Sequence, residues 1–100
     1  MKLSTAIRKA ARLSSVQFFG GQYIVVRYHR DDNQGFVNRY TTSSNSMSYR
    51  EAVQYRKEYT AKQALIILGV DEEQAVAVSF VYPHGTAQEI AQRVIDEYIN

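Results

Sequence analysis

The 100-residue sequence contains no cysteine. Disulfide bonds, thiolate catalysis and cysteine-ligated zinc are therefore excluded. The sequence also lacks any apolar run near the roughly 20 residues that a membrane-spanning helix needs, so we expect no membrane insertion. Its opening segment, MKLSTAIRKAARL, is too polar and too often charged for the apolar region of a signal peptide. These absences favour a cytoplasmic protein.

Catalytic motifs are lacking as well. There is no glycine-rich phosphate loop, no H-E-x-x-H pair and no serine in a nucleophile elbow. The consecutive acids Asp71, Glu72 and Glu73 come without the glycine turn and alternating ligand spacing of a calcium loop, so a solvated turn is expected. We therefore predict no enzyme, no metal and no cofactor. A ligand role for His84 stays open, because this residue lies between a predicted strand end and a predicted helix start.

What the sequence does contain is ordinary globular composition, with 45% hydrophobic and 22% charged residues. A chain of this length supports one modest core, so residues 1–100 are predicted to form a single domain. The clearest pattern is a hairpin over residues 22–42, with Asn33-Gln34-Gly35 as a three-residue turn.

That turn sets the strand register and sorts the hairpin side chains into two faces. It places Tyr28 opposite Tyr40 and His29 opposite Arg39. The more apolar face comprises Ile24, Val26, Tyr28, Phe36 and Tyr40. The more polar face comprises Tyr23, Val25, Arg27, His29, Val37 and Arg39.

The remaining elements follow from apolar periodicity and capping signals. Helices are predicted over residues 3–13, from the Ser48/Glu51 capping box to about Leu68, and from the Thr86/Glu89 capping box to the end. Residues 16–19 are predicted to be extended, and Ala75-Val-Ala-Val-Ser-Phe-Val-Tyr82 to be a central strand, because both of its faces are apolar.

These elements predict an α+β fold in the order α-β-β-α-β-α. We expect a two-layer sandwich with a three- or four-stranded, mainly antiparallel sheet and helices packed on one of its faces. The more polar hairpin face would then stay open.

Charge is distributed unevenly along the chain. Residues 1–62 hold eleven Lys/Arg against four acids, giving +7, whereas residues 63–100 hold one against six, giving −5. Such a distribution is compatible with two solvated surfaces that have no partner, or with a basic face that meets an anionic surface. The predicted binding residues are Tyr23, Arg27, His29 and Arg39 on the open hairpin face, supported by Arg8, Arg12, Arg56 and Lys57.

Two classes of partner fit that face. The leading hypothesis is a non-enzymatic interaction module that engages an acidic surface of a protein or ribonucleoprotein complex, since Tyr and Arg are enriched at binding hot spots. The alternative is RNA or single-stranded DNA, which sheet faces bind with stacking aromatics and basic rims. Only one aromatic residue, Tyr23, lies on the predicted face. A second copy closing the open face, as in a homodimer, is a further option.

In length and layout, with a hairpin leading into MSYREAVQYRKEYTAKQALIIL at residues 47–68, the chain resembles small phage or mobile-element accessory proteins, including anti-CRISPR inhibitors. The resemblance implies inhibition of a host complex. It assigns no site residues, because such proteins share no common fold or motif.

Overall fold

Helices and one antiparallel sheet make up the chain. The structure, a computed structural model, describes residues 1–31, 36–41 and 47–99, and for 29–31 and 36–41 it describes the backbone alone. The helices are α1 (Leu3–Ala10), α2 (Tyr49–Ile67), α3 (Glu72–Ala75) and α4 (Ala87–Val94), and the strands are β1 (Ser14–Phe19), β2 (Gln22–Asp31) and β3 (Phe36–Thr41). The predicted α+β class is confirmed, but the predicted order of elements is not the order found.

Three of the helices extend into tighter or wider turns. A 3-10 turn, Ala11–Leu13, follows α1; a 3-10 segment, Val76–Ser79, follows α3; and a π-helical segment, Ile95–Ile99, follows α4. The first extension leads into strand β1, and the second leads into the loop at residues 80–84. The third ends the described part of the chain at Ile99.

Two helices begin at the predicted capping boxes, which are confirmed. Ser48 Oγ accepts a hydrogen bond from the Glu51 amide at 3.1 Å, and the Glu51 carboxylate accepts one from the Ser48 amide at 3.4 Å. Thr86 and Glu89 repeat this arrangement before α4 at 3.2 and 3.0 Å. The bond from the Thr86 amide lowers the pKa of Glu89. Such boxes are recognisable from sequence because both partners lie within one helical turn.

The sheet has the strand order β1-β2-β3, and each neighbouring pair is antiparallel. Strand β1 joins β2 through Gly20 and Gly21, whose φ angles are 62° and 81°. Positive φ at both central residues is the mark of a type I′ turn, whose twist matches the strands it joins. The segment at 16–19, predicted as a short extended piece, is therefore part of a full strand.

Replacing Gly20 with valine is expected to destabilise the protein by about 1–2 kcal/mol, because a side chain with a Cβ is disfavoured in the left-handed region. Gly20→Asn should cost much less, since asparagine visits that region more readily. A Cβ at this position would meet no heavy atom within 4 Å, so the difference between the variants reports backbone strain and not overlap. Urea unfolding measures it, and equal losses would contradict the assigned turn.

The pairing of β2 with β3 differs from the predicted register by one residue. Tyr28 lies opposite Arg39, and His29 lies opposite Asn38. The last described pair is Asp31 with Phe36. The predicted turn at 33–35 and the polar loop predicted at 42–46 lie outside the described residues.

The predicted central strand at 75–82 is wrong, because residues 75–79 are helical and residues 80–82 belong to the loop that follows. The helical part runs from α3 through the 3-10 segment Val76–Ser79. Ala75, Val78 and Val81 are buried, whereas Val76, Phe80 and Tyr82 are exposed. Ala75 and Val78, three residues apart, share one face of the helical run, and Ala77 is buried beside them. A short, continuously apolar run satisfies this period as well as strand alternation, so periodicity alone does not separate the two.

Helix α2 is the central element of the fold. Helices α1 and α4 pack against it, and it also contacts β1 and β2. The main core cluster joins α2 to α4 and the α3 segment through Ala61, Leu65, Ala75, Ala77, Val78, Val81, Ile90, Ala91 and Val94. A smaller cluster of Ala6, Ala10 and Ala64 joins α1 to α2. The helical side chains thus form the core on which the hairpin rests.

Candidate binding surface

The hairpin face predicted to be open is covered by α2. The guanidinium carbon of Arg27 lies 5.7 Å from the centroid of the Tyr59 ring, and the Tyr23 and Tyr49 ring centroids are 5.3 Å apart. Both Tyr23 and Arg27 are half-buried. The prediction of an open face is therefore wrong. Alternation in the sequence sorts strand residues into two faces, but it does not show which face a helix covers. The methylene stem of an arginine also packs readily on an apolar surface, so Arg27 is compatible with a covered face.

The other predicted hairpin residues separate in the structure. Arg39 lies opposite Tyr28 in the sheet and not opposite His29, so the register separates Arg39 from the strand positions of Arg27 and His29, with which it was predicted to share a face. The side chains of His29 and Arg39 lie outside the described part of the chain. Arg8 on α1 and Arg12 in the following 3-10 turn are exposed to solvent, as predicted.

Arg56 has a structural position. Its Nη2 donates to the Ala11 carbonyl at 2.9 Å, and its Nε donates to the Ser14 carbonyl at 3.2 Å. These carbonyls follow α1, where helix C-terminal oxygens lack intrahelical partners and favour a positive charge. Arg56 therefore ties α2 to the junction between α1 and β1, and its charge is directed inward.

A cluster of three rings, Phe18, Tyr23 and Tyr49, lies where β1 and β2 meet the start of α2. We call it the aromatic cluster. The Phe18 and Tyr23 centroids are 5.0 Å apart with planes at 57°, and the Tyr23 and Tyr49 planes meet at 62°. Tilted and edge-to-face pairs at such distances are favourable arrangements for aromatic rings. Phe18 is nevertheless 65% exposed and Tyr49 is 60% exposed, so the cluster also presents apolar surface to solvent.

The aromatic cluster borders a cavity of about 520 Å³, which we call the groove. Tyr49, Val53 and Lys57 line it from α2 at intervals of four residues, which places them on one helix face. Across from them lie apolar groups of α1 and β1, including Ile7 and Val16. The groove thus combines apolar walls and one tyrosine ring with two cationic residues, Arg56 and Lys57, both of which belong to the predicted set.

Sequence reasoning missed Phe18 and Tyr49. Phe18 lies in a segment predicted only as a short extended piece, and Tyr49 looked like an ordinary first helical residue. A signal for Phe18 was present, because two phenylalanines stand directly before the Gly20-Gly21 turn. A hairpin tip rarely buries both faces of its strands, so at least one of these rings had to be exposed.

A separate cavity of about 370 Å³ is lined by Arg27, Tyr55, Glu58, Tyr59 and Lys62, among others. Burial raises the pKa of the Glu58 carboxyl and of the Tyr59 phenol. Among its described lining residues two cations, Arg27 and Lys62, balance two acids, Glu58 and Glu72, and none is a histidine. These residues give the cavity neither a strong net charge nor an imidazole base, so it is the weaker candidate site.

His84 lies in an exposed loop at residues 80–84. Its ring stacks on the Tyr82 ring with centroids 5.7 Å apart. Arg93 donates to the carbonyl oxygens of Tyr82, at 2.9 Å, and of His84. Ring stacking and the Arg93 hydrogen bond to its carbonyl oxygen thus hold His84 in place, and the residue is exposed to solvent.

Searches of protein-family models, curated proteins and solved structures found no match to this chain. Within residues 1–31, 36–41 and 47–99, no three His, Asp or Glu side chains are grouped to hold a metal ion. None of the helices in the same ranges is long and apolar enough to cross a membrane. The functional interpretation therefore depends on the geometry of the groove and the aromatic cluster.

Proposed function

We propose that this chain is a non-enzymatic binding module whose groove and aromatic cluster engage an acidic surface of a partner protein. The observation that carries the proposal is the exposed aromatic cluster at the rim of an apolar groove that also contains a lysine. Large rigid side chains beside a pocket are the usual anchors of protein interfaces.

Each part of this surface suits one feature of such a partner. The groove, with Val16 and Val53 in its walls, accepts an apolar side chain. Lys57 within the groove and the exposed Arg50, next to Tyr49, favour carboxylates around that side chain. The module would act by occupying its partner's surface, as an adaptor or an inhibitor does.

A protein partner fits this geometry better than a single strand of nucleic acid. Bases stack one after another on flat platforms, and cations follow the phosphate backbone. Here the neighbouring rings are tilted by 57° and 62°, so they do not form one platform. The guanidinium groups of Arg56 and Arg27 already contact backbone carbonyls and the Tyr59 ring, which makes these two cations less available to a phosphate backbone.

The test compares two adjacent phenylalanines on opposite strand faces. Phe18→Ser removes a ring of the aromatic cluster, whereas Phe19→Ser removes a ring that is 70% exposed but points the other way. Tagged wild-type and variant proteins are used to capture partners from a cell lysate, with and without nuclease. We expect Phe18→Ser to weaken binding of a captured protein by roughly 30-fold and Phe19→Ser to leave it unchanged.

The outcomes separate the alternatives. Capture that survives nuclease but is lost in Phe18→Ser supports the proposal. Capture that disappears with nuclease would instead assign the surface to nucleic acid, with a steep dependence on salt. Equal capture by both variants would show that the partner binds elsewhere on the chain.

A further inference from the structure

The loop at residues 80–84, which we call the aromatic loop, has an unusually well-held backbone. The carbonyls of Tyr82, Pro83 and His84 each accept a side-chain hydrogen bond, two from Arg93 and one, at 2.9 Å, from Gln54 on α2. Val81, directly before these three residues, is buried in the core. A loop fixed in this way loses little conformational freedom when it binds, which favours binding.

The same loop presents aromatic side chains to solvent. Phe80 is 69% exposed and Tyr82 is 71% exposed, on either side of the buried Val81. The Tyr82 ring stacks on His84 and lies 6.0 Å from the guanidinium carbon of Arg93. The loop is therefore a rigid projection with two aromatic rings, of which one is held in place by its neighbours.

The aromatic loop belongs to the acidic part of the chain, since residues 63–100 hold one Lys/Arg against six acids. The Glu89 carboxylate lies beside Gly85, close enough that a Cβ there would be 2.8 Å from Glu89 Oε1. The helices before and after the loop carry further exposed acids: Glu72, Glu73, Asp96 and Glu97. Arg93, the single Lys/Arg of residues 63–100, donates to backbone carbonyls. The loop therefore projects exposed aromatic rings from a segment of the chain with net negative charge.

We propose that the aromatic loop of one copy docks into the groove of a second copy of this chain. The two surfaces differ in form and in charge. The groove is a largely apolar cavity lined also by Arg56 and Lys57, and the loop projects two exposed rings from the acidic part of the chain, with the Glu89 carboxylate beside Gly85. The aromatic cluster at the groove rim provides rings for Phe80 and Tyr82 to pack against.

The placement of the two surfaces allows this contact to form twice. Gln54 holds the loop at Pro83, and its neighbour Val53 lines the groove. Ala87, at the start of α4, lines the groove as well. Loop and groove therefore border the same half of α2. Two copies related by a two-fold axis can exchange loop and groove reciprocally, which closes a dimer instead of extending a filament.

Complementation between variants tests the contact. The loop variant, Phe80→Ser with Tyr82→Ser, and the groove variant, Phe18→Ser with Tyr49→Ser, each replace exposed side chains. Wild-type protein is expected to be dimeric in sedimentation equilibrium, and each variant alone should dissociate at least tenfold more readily. An equimolar mixture should recover dimer, because it contains one intact loop and groove pair. Phe19→Ser should behave as wild type, and circular dichroism checks that every variant is folded.

Other results would overturn the proposal. A wild-type protein that remains monomeric up to roughly 1 mM has no such contact. A loop variant that dimerises like wild type would exclude the loop, and a mixture that stays monomeric would indicate contacts between like surfaces. The loop variant distinguishes self-association from partner binding. Because it keeps its groove, it should still capture the partner proposed above. Capture should be more efficient than for wild type, because no loop of a second copy occupies the groove.

Discussion

Replacing Arg56 with methionine is expected to lower the free energy of unfolding by about 3 kcal/mol. Methionine keeps much of the apolar stem but removes the guanidinium group, which donates to the Ala11 and Ser14 carbonyls. A hydrogen bond to a charged group contributes roughly 1.5–3 kcal/mol, and losing it leaves half-buried carbonyls without that donor. Urea unfolding followed by circular dichroism measures the change.

Lys57→Met is the matched control, since it makes a comparable change at the next position of the same helix. Lys57 lines the groove, and we expect its replacement to change stability by no more than about 0.5 kcal/mol. Arg56→Lys should recover only part of the loss, because one ammonium group does not reproduce the guanidinium fork. Equal stability of Arg56→Met and Lys57→Met would show that the Arg56 hydrogen bonds contribute nothing.

The contrast between Arg56 and Lys57 shows where sequence reasoning about charge ends. Both were predicted to bind a partner, because both are basic residues on one helix. In the structure both residues line the groove, but the Arg56 guanidinium also donates to backbone carbonyls that follow α1. The carbonyls that attract Arg56 lie more than 40 residues earlier in the chain, at Ala11 and Ser14. A signal of this kind exists only once α1 and α2 are packed together.

Features that depend on neighbouring residues were predicted well. The Ser48/Glu51 and Thr86/Glu89 capping boxes are confirmed, as is the long helix that follows the first of them. Each box is a local hydrogen-bond exchange, so its sequence signature is nearly complete. The apolar stripe of α4 is confirmed too, because Ile90, Ala91 and Val94 are buried where their helical spacing places them.

The orientation of the hairpin was not predictable in the same way. Both faces of β2 contain residues suitable for burial: Ile24, Val25 and Val26 are all buried. The choice of the Val25 face for α2 depends on contacts with Tyr49 and Tyr59, which lie on another element. The candidate surface therefore moved from the hairpin face to the aromatic cluster, although Tyr23 and Lys57 belong to both interpretations.

The segment at 75–82 allows the sharpest test of the observed fold against the predicted one. In a central strand, Val76 and Val78 would share a face and would be buried alike. In the structure Val78 is 4% exposed within the main core, and Val76 is 43% exposed. The same substitution at the two positions should therefore have very different effects.

Val78→Asp is expected to unfold the protein or to destabilise it by about 3–5 kcal/mol, because it places an unpaired carboxylate among apolar side chains. A loss of that size is a large part of the roughly 5–15 kcal/mol that stabilises a typical domain. Val76→Asp should cost less than about 1 kcal/mol, since its carboxylate can reach solvent. Circular dichroism and urea unfolding of the two variants measure the difference. Similar losses at both positions would favour the strand over the 3-10 helix. The aromatic loop would then no longer follow the helical segment that positions it in this structure.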